Sequence, residues 1–111
     1  MSSKYPVRAF DYATVYNVVD GDTVDIEIDL GFSVKVRHRF RLARINAPER
    51  GHPGAAQATA YLKETVLGKP VTILSTKIDK YGRYLCDILL SDDIMPVNDR
   101  MVERGLATPY V

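Results

Sequence analysis

Apolar and polar side chains alternate through much of the first 42 residues, and the alternation predicts strands. Tyr12–Val19, YATVYNVV, is rich in β-branched and aromatic residues. Thr23–Asp29 puts Val24, Ile26 and Ile28 on one face and Thr23, Asp25, Glu27 and Asp29 on the other. From Phe32 to Leu42, one side carries Val34, Val36, His38, Phe40 and Leu42, and the other Lys35, Arg37, Arg39 and Arg41. DGD at Asp20–Asp22 and the DLGF that ends at Phe32 read as turns, so the three strands form a meander.

The period changes at Pro53–Leu67. There Ala58, Tyr61, Leu62, Thr65 and Val66 fit a helical stripe, which Gly68 and Pro70 end. Val71–Thr76 and Arg83–Leu90 read as strands on either side of KIDKYG. A short helix over Val97–Arg104 closes at Gly105, and LATPYV follows as an extended or irregular segment. The order is three strands, a helix, two strands and a short helix. It predicts a mainly β (α+β) domain: a five-stranded OB-type Greek-key barrel, one helix between the third and fourth strands, and a short C-terminal helix. Such barrels often bind oligonucleotides, but fold alone does not establish function.

At 111 residues the chain is long enough for one core and too short for two, so residues 1–111 are expected to be a single domain. With 46% hydrophobic and 26% charged residues it reads as globular. No apolar run reaches the ~18 residues of a membrane helix. MSSKYPVRAF has no secretory h-region, so a cytoplasmic location is expected. Cys86 is the single cysteine, which excludes an internal disulfide. One Cys and two His are too few for a structural zinc site, and Cys86 in RYLCDILL reads as a buried small hydrophobe. Net charge is +1 but uneven. Residues 1–34 hold two bases and six acids; residues 35–50 hold six bases and one acid. The basic stretch suits phosphate, or is a solvated strand face beside a complementary acidic strand.

Three short motifs carry candidate chemistry. In DGDTV, Asp20–Val24, Asp22 shares strand parity with Val24 and Ile26 and so points toward the barrel. A carboxylate there is either part of a simple hairpin turn or seeks a cation or donor. In FRLARINAPE, Pro48 holds Ala47 extended, which can aim the Ala47 carbonyl outward as a hard-cation ligand. Glu49 follows and can bind or activate a water, and Arg41 can present its planar fork to a phosphate. His38 reads as a core-side or rim residue, and Arg44 and Arg50 as solvated charges. In DKYGRYL, Asp79–Leu85, Gly82 marks a hairpin turn. Lys80, Tyr81 and Arg83 around it suit base stacking and phosphate pairing, or are simply exposed.

Each motif alone is weak. DGDT, then FRL…INAPE, then a helix, then DKYGR, with MVERGLA near the end, resembles the staphylococcal nuclease (thermonuclease) family from about Tyr12 to Tyr110. The resemblance implies an OB barrel that hydrolyses phosphodiester bonds of DNA and RNA with a calcium ion. It implies Asp22, Asn46 and the Ala47 backbone carbonyl as calcium ligands, with Asp20 in support. It implies that Glu49 holds or deprotonates the attacking water, and that Arg41 and Arg83 bind the phosphate and stabilise its developing charge. Lys80, Tyr81 and Tyr110 match nucleotide-contacting positions. The chain departs from the family in having Asn46 where Asp is usual, and in stopping at Val111 where the prototype continues into a further helix. The first departure predicts weak calcium binding that substrate phosphate completes. The second leaves monomer or weak homodimer open. The alternatives are an impaired module that binds nucleic acid or protein, and a structural OB domain in which Arg41, Arg83, Asp22 and Glu49 satisfy one another.

Overall fold

In the computed structural model, which describes residues 8–78, 80–91 and 93–110, the meander forms as expected. Residues 1–7, Asp79 of the DKYGR motif and Val111 lie outside the described residues. The first three strands are β1 (Arg8–Asp20), β2 (Thr23–Gly31) and β3 (Val34–Leu42). After them come a two-residue strand β4 (Ile45–Asn46), helix α1 (Ala55–Val66), β5 (Pro70–Ile78) and β6 (Tyr84–Leu90). Helix α2 (Val97–Glu103) and a two-residue strand β7 (Thr108–Pro109) complete the chain. The barrel closes in the order β1-β2-β3-β6-β5. β3 and β6 run parallel over Phe40–Leu42, and the other barrel pairs are antiparallel. β1 serves two neighbours, β2 and β5, and its ladders shift between Phe10 and Ala13, Val15 and Asn17, and Val18 and Asp20. Such irregularities bend a strand and let it wrap a closed barrel.

Alternation filled the core where a neighbour covers the strand. Val24, Ile26 and Ile28 of β2, with Ile73 and Ile88, are buried together with Leu62 and Val66 of α1. On β3 the expected inner face holds only at Phe40 and Leu42. Val34 and His38 are exposed and Val36 is half-buried, because β6 begins opposite Phe40 and leaves the first half of β3 without a strand on that side. His38 is therefore not a core residue; its ring meets Tyr84 edge-on at 5.1 Å. Phe32, read as the start of the third strand, sits instead in the turn with a left-handed φ of 54°.

Helix α1 presents Ala55, Ala58, Leu62 and Val66 to the barrel, at helical spacing. Gly68 ends it, donating its N–H to the Val15 carbonyl at 2.8 Å and locking the helix exit to β1. The small residue Ala58 lets α1 approach the Asp20–Asp22 turn. A Cβ on Gly21 would lie 2.7 Å from the Ala58 Cβ and 3.0 Å from the Ala47 Cβ. Gly21 is thus required by packing between turn, helix and the Ala47 segment, a reason the hairpin reading did not contain. Cys86 is buried as expected, and burial pushes its thiol pKa up.

Candidate active site

The Asp20–Thr23 turn, the end of β3 and the β4 segment meet at one mouth of the barrel. The Leu42 N–H donates to the Asp22 carbonyl at 2.8 Å, which brings the turn against the end of β3. The Asp22 side chain, 14% exposed, accepts from the Ala47 N–H at 3.0 Å and the Thr23 hydroxyl at 3.1 Å. Its expected inward direction is confirmed, and its first partners are a backbone amide and a hydroxyl.

Arg41 lies across the same mouth with its side chain 12% exposed. Nη1 donates to the carbonyls of Leu42 and Ile45, both at 2.9 Å. Nη2 donates to Asn46 Oδ1 at 2.9 Å and lies 3.5 Å from Asp22 Oδ2. One guanidinium nitrogen therefore stands between the Asp22 carboxylate and the Asn46 amide oxygen. The Tyr110 ring lies 5.8 Å from the Arg41 guanidinium. β7 brings it there: Asn46 pairs with Thr108, Ile45 with Pro109, and the Tyr110 N–H donates to the Arg44 carbonyl at 2.8 Å.

The Ala43–Arg44 turn between β3 and β4 is held from three sides. Asn98 of α2 is fully buried, donates to the carbonyls of Ala43 at 2.9 Å and Cys86 at 3.0 Å, and accepts from the Ile88 N–H at 3.1 Å. Arg44 has a left-handed φ of 67° and reaches Asp99 of α2 at 2.7 Å and Asp87 of β6 at 2.5 Å. Hydrogen bonds to Asp99 and then Asp87 raise its pKa. The expectation of a solvated charge holds for Arg50, whose side chain is 78% exposed although it donates to Asp20 and to the Val19 carbonyl, each at 3.2 Å. It is corrected for Arg44, which is clamped between two carboxylates. A left-handed non-glycine residue costs about 1–2 kcal/mol, and two exposed ion pairs at about 0.2–1 kcal/mol each are of the same order, so the clamp on Asp99 and Asp87 is what offsets the strain at Arg44.

The remaining candidates flank this mouth. Glu49 is exposed two residues beyond Ala47, and among the described residues no side chain engages its carboxylate. Arg83 precedes Tyr84, the β6 partner of Phe40, so it enters on the strand beside Arg41. The Tyr81 ring is exposed and lies 5.3 Å from both the Lys80 ammonium and the Arg83 guanidinium. Asp22, Arg41, Asn46, Ala47 and Tyr110 are in one contact set. Lys80, Tyr81 and Arg83 form a second cluster.

A family model described as staphylococcal nuclease homologue matches residues 39–111, which run from just before Arg41 through Asn46, Glu49 and Arg83. The chain belongs to the staphylococcal nuclease homologue family. An uncharacterized endonuclease of Escherichia coli O157:H7 is 36% identical over 107 residues, covering 96% of this chain and 66% of the relative. A micrococcal nuclease of Shigella flexneri is 28% identical over 103 residues, 86% of this chain and 56% of the relative. A staphylococcal-like nuclease of Arabidopsis thaliana is 35% identical over 75 residues, 68% of this chain and 23% of the relative. The chain spans less than two thirds of the length of each of these relatives.

For this member of the staphylococcal nuclease homologue family, the mouth fits a hard cation in donor type and falls short in charge. Asp22 and Asn46 oxygens approach the same Arg41 nitrogen, so an ion held by both would have to displace that guanidinium contact. A calcium ion takes 6–8 oxygens, so waters and a substrate phosphate would have to complete any shell built on Asp22, Asn46 and the Ala47 carbonyl. Among the described residues no group of three or more His, Cys, Asp or Glu side chains converges. At the expected second carboxylate position stands an amide. Among the described residues no helix is long and apolar enough to cross a membrane.

Sequence reasoning missed the supports of this mouth. Asn98 follows Val97 within the buried Val97–Met101 stripe, and a polar residue beside that stripe is the one available signal. The Arg44 clamp and the β4–β7 pairing join residues more than 40 positions apart and carry no local signature.

Proposed function

We propose that this chain is a calcium-dependent nuclease that hydrolyses phosphodiester bonds of DNA and/or RNA, with metal affinity weakened by Asn46. The observation that carries the reading is the shared contact of Asp22 and Asn46 with one Arg41 nitrogen at the barrel mouth. A site that already gathers two oxygens and a fixed guanidinium is arranged for a phosphate and its counter-cation. The family membership and the nuclease names of relatives support it.

In this reading Asp22, Asn46 and the Ala47 carbonyl hold the calcium, and Asp20 supports the turn that carries Asp22. When bound, calcium supplies charge relief at a phosphate oxygen. Arg41, rigidly held by two carbonyls, meets the phosphate with its remaining donors and stabilises the charge that develops. Arg83 does the same from its place just before β6. Glu49, exposed at the rim, orients or deprotonates the attacking water. Tyr81 and Tyr110 offer ring faces to bases, and Lys80 pairs with phosphate.

The test is cleavage of single-stranded DNA and RNA with calcium and with chelator. The expected result is metal-dependent cleavage by the parent and a loss of roughly 100-fold or more in Glu49→Gln. Absence of cleavage by the parent at millimolar calcium would sink the enzyme reading. The second reading, a binding module impaired in catalysis, is favoured by Asn46 in place of a carboxylate. It predicts nucleic-acid binding that persists in chelator and weakens with salt.

A further inference from the structure

Resting on that reading of the barrel mouth, we infer that Arg44 is a positioning residue that sets the Arg41 guanidinium through the turn between β3 and β4. Arg41 Nη1 bridges the carbonyls of Leu42 and Ile45, which lie on either side of Ala43 and Arg44. The separation of these two carbonyls is set by the backbone of the two residues between them. At Arg44 that backbone is left-handed, a conformation that suits glycine or asparagine and that a long side chain resists. What holds it is on the page: Arg44 Nη1 and Nη2 grip Asp99 on α2 and Asp87 on β6, and the Arg44 carbonyl accepts the Tyr110 N–H.

The planar fork of one arginine spans two carboxylates on two different elements, which a lysine cannot do. The clamp ties α2 and β6 to the two residues that precede Ile45 and Asn46. Asn46 in turn accepts from Arg41 Nη2. The guanidinium of Arg41 is thus held at both ends of a loop whose middle is Arg44. The two ion pairs offset the strain of the left-handed backbone, and the turn they hold is the one that presents Ile45 O and Asn46 Oδ1 to Arg41.

The experiment compares the ¹⁵N-labelled parent with Arg44→Gly, Arg44→Lys and Asp99→Asn. Glycine keeps the left-handed turn accessible and deletes the clamp; Asp99→Asn leaves Arg44 in place and weakens one arm, which guards against misfolding of the glycine variant. The readout is rotation of the Arg41 guanidinium by ¹⁵N exchange spectroscopy, in chelator, beside thermal midpoint and calcium-dependent kcat. We expect guanidinium rotation to accelerate about tenfold or more in Arg44→Gly as its bonds to Leu42, Ile45 and Asn46 loosen. Arg44→Lys and Asp99→Asn should fall between that variant and the parent. Cleavage should fall roughly 10- to 100-fold in kcat with KM little changed, as for a displaced transition-state group. Arg41 rotation within twofold of the parent in both Arg44→Gly and Asp99→Asn would overturn the inference, whatever happens to the thermal midpoint. A parent that does not cleave would sink the nuclease reading alone, because the rotation measurement does not depend on activity.

Discussion

Replacing Asn98 tests whether one buried amide holds α2 against the barrel. Its side chain accepts from the Ile88 N–H at 3.1 Å and donates to the Ala43 carbonyl at 2.9 Å and the Cys86 carbonyl at 3.0 Å. The residue has no exposed surface. The Cys86 carbonyl keeps a second donor, the Ala43 N–H at 2.8 Å. Asn98→Ala therefore orphans one buried group, the Ile88 N–H, and one part-buried group, the Ala43 carbonyl, which water can reach. At about 1–3 kcal/mol for a buried group left unsatisfied, the loss is at least about 1–3 kcal/mol. Unfolding entropy of about 2.1 cal/mol/K per residue converts that to a fall of roughly 4–13 °C in Tm for a chain of this length. Urea unfolding followed by circular dichroism measures it, with an unchanged m-value as the control for two-state behaviour. Asn98→Leu keeps the branched shape and heavy-atom count and removes the amide, which separates lost hydrogen bonds from a lost side chain. If Asn98→Leu unfolds within about 1 kcal/mol of the parent, less than one orphaned group costs, the hydrogen-bond reasoning is refuted.

Three further outcomes follow from the same geometry. Asn46→Asp adds a unit charge where Asn46 Oδ1 meets Arg41, and two unit charges 4 Å apart interact by ~4 kcal/mol at an effective dielectric of 20. Discounted for the exposure of residue 46, calcium affinity by calorimetry should rise roughly 10- to 100-fold, and a change under about twofold would remove Asn46 from the metal site. Gly21→Ala places a methyl 2.7 Å from the Ala58 Cβ and should cost about 1–3 kcal/mol in chemical unfolding; Ala58→Gly added to it should return part of that, and no recovery would show that the clash is not with Ala58. Asp25, gripped by Arg39 at 2.8 and 3.2 Å and by Asn17 at 2.9 Å, has its pKa lowered, with the Arg39 hydrogen bond the largest cause. Its contribution is then fully present above the unfolded carboxyl pKa of about 3.9 and is lost as pH falls through the lower folded value. The unfolding free energy of the parent should fall over that acid range more than that of Asp25→Asn; equal slopes would contradict the assignment.

Much of the architecture was written in local pattern. Strict alternation in Thr23–Asp29 and the shift to helical spacing after Pro53 place β2 and α1 correctly, because period 2 and period 3.6 follow from backbone geometry and need no partner. The site residues were legible as short motifs, Asn46 only through the family resemblance, and Asp22, Arg41, Asn46 and Ala47 do meet. What local pattern determined was which side chains can face inward and which chemistry they carry. It did not determine how far each face is covered. His38 has core parity and is exposed, since β6 reaches only as far as Phe40. Nor did it determine how the mouth is held. Arg44 reads as a solvated charge until α2 and β6 bring Asp99 and Asp87 to it, and Asn98 reads as an ordinary helix residue until the Ala43 and Cys86 carbonyls close around it. Gly21 reads as a turn glycine until α1 arrives within a methyl's reach. Those contacts join residues far apart in sequence, and their energies exist only once the chain has closed. Periodicity decided the elements, and short motifs with the family resemblance decided the candidate chemistry, while closure of the barrel decided which charges are paired, which amide is buried, and how Arg41 is held.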